Sequence, residues 1–110
     1  MKIEISDEEL NAAKIAVFNG DTSIPWDDDL PYTNVFLRTQ LAYANDMLMA
    51  RGFVFLNDIL ESLGMRRTGP GQVLGWTKKE LYISFGEMTP NSDGSVRLEF
   101  NLEGVIVDKI

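Results

Sequence analysis

Two clusters in this sequence gather the side chains that could do chemistry: Trp26-Asp27-Asp28-Asp29 and Arg66-Arg67-Thr68-Gly69-Pro70-Gly71. The three aspartates offer hard oxygen ligands, but a divalent cation wants six or more oxygens from several directions. Consecutive side chains splay apart, so the triplet supplies about two ligands and Asp21 at most one more. A solvated acidic loop is the plainer reading. Trp26 is a large amphipathic ring that either pins this loop to the body or awaits a partner. The arginine cluster could grip a phosphate or a carboxylate with its amides and guanidiniums. It lacks the Lys-Ser/Thr ending of a P-loop and is not set between a strand and a long helix. A helix-to-strand connector, with glycines serving backbone geometry, is the plainer reading of it. Trp26, Asp27, Asp28, Asp29, Arg66 and Arg67 are therefore the expected partner contacts.

The rest of the chain argues against catalysis. It holds no His and no Cys, which removes the usual proton shuttle, the thiolate nucleophile and the soft-metal ligands. Serine chemistry without His would need a lysine base, and no Ser-x-x-Lys occurs. No carboxylate pair stands out from the surface acids by its spacing. Asn91-Ser92-Asp93-Gly94 resembles a fragment of a calcium loop but lacks the bidentate Glu, so it reads as a hairpin turn. A domain of this size also has little room for a deep cleft. The expectation is a non-enzyme with no cofactor and no metal.

Charge is unevenly placed. Residues 1–30 carry eight acids against two bases, and the remaining eighty carry nine against eight, within a net charge of −7. Phosphate contact needs basic surface, so direct nucleic-acid binding is not expected. An acidic third suits solubility or a basic protein partner. Met1-Lys2-Ile3-Glu4 lacks the apolar run of a signal peptide, and no stretch approaches a membrane span. Without Cys there is no disulfide framework. These features point to a soluble cytoplasmic protein with no membrane contact.

Helices must position the first clusters and strands the later ones. Ser6-Asp7-Glu8-Glu9 is a capping box, with Ile5 and Leu10 placed as a hydrophobic staple. Leu10, Ala13, Val17 and Phe18 recur near helical spacing, so a helix is expected over about 7–18, stopped at Asn19-Gly20. Residues 20–32 hold no period and read as an acidic loop. Thr33 can cap a second helix over about 34–50, with Leu37, Leu41, Ala44 and Leu48 on one face. Arg51 and Gly52 end it. Phe53-Val54-Phe55 reads as a short strand, and Asn57 or Asp58 caps a third helix that stops at Gly64. After Gly71 the period becomes two, giving strands over about 72–76, 80–85, 95–101 and 105–109.

The whole is one small α+β domain: about three N-terminal helices packed on a three- to four-stranded antiparallel sheet. Leu37, Leu41, Leu48, Phe53, Leu60, Leu63, Ile83, Phe85, Leu98 and Phe100 form the expected core. Met47 reads as core filling, and Met49 sits opposite the inner face, where it would report an interface.

Gly52-Phe53-Val54-Phe55-Leu56-Asn57-Asp58, Leu63-Gly64, Thr68, Gly71 and Val73-Leu74-Gly75-Trp76 together resemble a family of small uncharacterised proteins from bacteriophages and integrated mobile elements. Ile83-Ser84-Phe85-Gly86 and Phe100-Asn101-Leu102-Glu103-Gly104-Val105-Ile106 extend the resemblance, which spans roughly residues 33–110. Family members usually carry an acidic, Gly-containing insert between Trp76 and Ile83, where this chain has only Thr77 to Tyr82. The resemblance implies a genomic origin and no chemistry. Three readings follow. The chain is an accessory protein that binds a host or phage protein, an acidic DNA mimic that inhibits a restriction or CRISPR nuclease, or a virion component that forms a homo-oligomer.

Overall fold

In the computed structural model, residues 4–19, 30–77 and 82–110 are described. The class is α+β: among the described residues there are three α-helices and five strands, with the strands in two antiparallel sheets. Helix α1 (Asp7–Ala13) starts at Ser6, whose Oγ accepts from the Glu9 amide at 3.1 Å. The reciprocal half differs from the expected box, because the Ser6 hydroxyl donates to the Glu9 carboxylate at 3.1 Å.

The first helix stops far earlier than its periodicity suggests. Ile15–Phe18 is strand β1, paired with β4 (Val96–Glu99) so that Phe18 faces Val96 and Ile15 faces Glu99. Ile15-Ala16-Val17-Phe18 suits a pleated surface as well as a helix. Pairing lets Phe18 reach full burial while Ile15 and Val17 turn outward.

Helix α2 (Leu30–Arg51) begins earlier than expected, so residues 30–32 are helical and Thr33 lies inside the helix, buried, rather than capping it; the rest of the expected acidic loop, residues 20–29, lies outside the described residues. Pro31 is tolerated in a first turn because that amide needs no helical partner. At the far end Arg51 pairs with Asp58 at 2.8 Å and lies over the Phe53 ring. Strand β2 (Val54–Phe55) leads directly into α3 (Leu56–Ser62). Asp58 reaches back to accept from the Phe55 amide at 3.0 Å, so it caps from inside the first turn. A 3-10 turn (Pro70–Gln72) precedes β3 (Leu74–Trp76), which lies between β2 and β5 (Gly104–Val105).

The expected single sheet is thus two small ones, β1-β4 and β2-β3-β5. The expected strand over 80–85 is not one at residues 82–85, and its start lies outside the described residues. Ile83 and Phe85 are buried in alternation as expected, yet side-chain amides take the place of most strand partners. Asn45 of α2 accepts from the Ile83 amide at 2.7 Å and donates to its carbonyl at 3.1 Å. Asn101 accepts from the Ser84 amide at 2.8 Å and donates to the Tyr82 carbonyl at 2.9 Å. A strand-like segment can satisfy its polar backbone this way without a full ladder.

The core holds Phe18, Leu37, Leu48, Leu63, Leu98 and the edge-to-face pair Phe85–Phe100, with Trp76 and Ile106 closing it. Leu41 and Phe53, both expected inside, are only half-buried, because the inward face of α2 centres on Leu37, Ala44 and Leu48. Met49 is exposed, as its position opposite that face requires.

Candidate functional site

The end of α3 builds one wall of a pocket. Gly64 takes a positive φ of 72°, which lets its amide bond the Glu61 carbonyl at 3.0 Å and the Met65 amide bond the Leu60 carbonyl at 2.8 Å. This αL helix stop brings an apolar residue beyond the helix against one in its last turn. Leu60 and Met65 accordingly line the pocket together with Leu56.

The connector after Met65 is locked by Asn57, a buried side chain of α3. Its Oδ1 accepts from the Thr68 amide and its Nδ2 donates to the Thr68 carbonyl, both at 2.9 Å. Thr68 Oγ1 then accepts from the Gly71 amide at 3.0 Å. A Cβ on Gly71 would lie 2.1 Å from Asn57 Oδ1, so only glycine lets the chain pass this close. The Thr68-Gly71 half of the connector is therefore structural. Arg67 turns to the Glu61 carboxylate of α3 in an exposed ion pair. Arg66 is exposed, lines the pocket, and has no ion-pair partner among the described residues.

The opposite wall comes from the end of α1 and the start of β1: Ala12, Ala13, Ile15 and Ala16, with Phe100 between the two walls. The Phe100 amide donates to the Lys14 carbonyl at 2.7 Å, which ties this wall to the chain leaving β4. The pocket holds about 410 Å³, within the range of small-ligand sites. Three alanines and two short helices leave a gap that the core does not fill.

Chemically the pocket is apolar, with one guanidinium on its mouth. None of the described residues that line it is a carboxylate, and the Thr68 hydroxyl already accepts from Gly71. It can hold an apolar group and pair an adjacent anion with Arg66.

Of the six expected contacts, Arg66 joins this pocket and Arg67 does not, while Trp26, Asp27, Asp28 and Asp29 lie outside the described residues. The alanines and Ile15 were hidden from sequence reasoning because 15–18 read as helix. The Gly64 stop was legible, and Met65 is the residue just beyond it that packs back on the last turn of α3.

Other polar clusters serve the fold. Asp93 is held below the usual carboxylate range by the Ser95 hydroxyl, at 2.6 Å, and the Ser95 amide, at 2.9 Å. That is the hairpin turn expected there. For Glu103, burial works to raise the pKa, but hydrogen bonds from the Thr77 hydroxyl and amide, and Lys109, outweigh it and hold the carboxyl below its ordinary value. Among the described residues no group of three or more His, Cys, Asp or Glu could hold a metal ion, and no helix is long and apolar enough to cross a membrane.

Residues 3–110 match the model of a protein family described as a family of unknown function, DUF6353. No curated protein and no solved structure matches the chain.

Proposed function

The chain belongs to DUF6353, and from that footing we propose that it is an accessory protein that works by binding another protein rather than by catalysis. The setting of this reading is a bacteriophage or integrated mobile element acting in the bacterial cytoplasm. Its support is the resemblance carried by residues 33–110. The observation that carries the binding reading is the apolar pocket with Arg66 at its mouth. Covering apolar surface contributes roughly 25 cal/mol per Å². The Arg66 guanidinium beside it, without an ion-pair partner among the described residues, favours a carboxylate. A protein segment presenting a bulky apolar side chain next to an acid fits both.

Two substitutions test this. Ala12→Trp should fill the pocket from an exposed position and abolish capture of the partner from the host cell. Arg66→Glu should weaken capture most at low salt. Capture unchanged by Ala12→Trp would overturn the pocket reading.

A second reading rests on the acidic N-terminal third. There Glu4, Asp7, Glu8 and Glu9 are all exposed, and together with Asp21 and Asp27 to Asp29 they could stand in for phosphates against a nuclease groove. Binding of that kind would fall steeply with salt. It would weaken when Asp27, Asp28 and Asp29 are replaced by Asn, with Ala12→Trp having no effect.

A further inference from the structure

The outward face of α2 carries a pattern that is symmetric about Ala42. Val35 and Met49 lie seven residues to either side of it, and Arg38 and Asp46 four residues to either side. At 100° per residue all five fall within about 40° of the Ala42 direction, on one stripe of the helix. All five are exposed, Val35 at 64% and Met49 at 55%, although both are large apolar side chains. Among the described residues Arg38 bonds Asn34 alone, through Nε at 2.8 Å, and neither it nor Asp46 has an ion-pair partner there.

We propose that this face is a self-association surface, on which α2 packs antiparallel against α2 of a second copy about a two-fold axis at Ala42. An antiparallel two-fold places each residue beside the one equally far on the other side of the centre. Val35 of one copy then meets Met49 of the other. Arg38 meets Asp46, and the two alanines meet each other where the helices must come closest. Apolar contact, opposite charge and a small central residue agree on one register. The reverse, parallel arrangement would set Arg38 against Arg38 and Asp46 against Asp46. The sequence order plus, small, minus is thus complementary to itself only in the antiparallel sense. A single helix–helix contact falls at or below the small end of specific interfaces, under about 1,200 Å², so the association is weak and reversible. It uses none of the pocket residues and stands independently of the partner reading.

Sedimentation equilibrium of the full chain tests it. The wild-type mass should rise from 12.4 kDa toward twice that value as concentration reaches roughly 100 µM. Arg38→Glu alone and Asp46→Arg alone each set like charges together, and should raise the dissociation constant about tenfold or more. Mixing these two variants restores both opposite-charge pairs across unlike copies, so the mixture should dimerise where neither component does. Ala42→Arg should abolish dimers with the circular dichroism spectrum unchanged, since Ala42 is exposed. A wild-type chain that stays monomeric overturns the proposal. So does a dimer indifferent to the single reversals, or a mixture that fails to pair.

Discussion

The two walls of the pocket are held in different ways. The α3 wall and its connector rest on a buried polar side chain: Asn57 bonds both backbone groups of Thr68, and Gly71 closes against it. The α1–β1 wall has no buried residue in its helix and rests on strand pairing with β4 and on Phe18. Polar locks of this kind fix one geometry, because any shift leaves buried groups unpaired. A short amphipathic helix tied through one two-stranded ribbon opens at lower cost. The pocket thus sets a wall held by buried polar bonds against one held by strand pairing and apolar packing.

The sharpest way to break this contrast is Phe18→Ala. Losing a fully buried ring should cost about 3–5 kcal/mol. Amide exchange should rise first in residues 7–18, with Thr68 to Gly71 keeping their protection. Equal loss of protection on both walls would show that they open as one unit.

Asn57→Ala comes next, at about 2–3 kcal/mol, because it leaves the Thr68 amide and carbonyl without their partner. Gly71→Ala should be destabilising in the native background. It should be less so once Asn57 is Ala, since the nearest atom to the added Cβ belongs to Asn57. Additive costs in that double-mutant cycle, read from chemical denaturation, would mean that the lock is not shared.

The smallest effect concerns Glu103, which joins the Thr77 hydroxyl and amide to Lys109 on the side of β3 and β5. Its folded pKa lies below the ordinary value of 4.5. The folded state therefore binds this proton less readily than the unfolded chain. The contribution is complete above the ordinary value and is lost as pH falls from there through the depressed one. Melting temperature measured on acidification should fall less steeply in Glu103→Gln than in the native protein. An unchanged slope would assign the acid sensitivity to other carboxylates.

Much of the architecture was legible in residue order. The Ser6 cap, the inner face of α2, the stop at Gly64 and the turn at Asn91 to Gly94 are written within a few residues. Caps, periodicity and glycine conformations act over that range. The connector was legible as a connector for the same reason, and its glycine as one of backbone geometry. The absence of His and Cys is a property of composition alone.

What tertiary structure decided was every feature that needs a distant partner. Residues 15–18 satisfy helical and extended patterns alike, and only pairing with 96–99 selects the strand. Residues 82–85 alternate like a strand, but the side-chain amides of Asn45 and Asn101 take most of the places a neighbouring strand would fill. The pocket exists because the turn from α1 into β1 brings three alanines opposite α3. No local signal encodes that gap, since it depends on which surfaces meet rather than on what any one segment prefers.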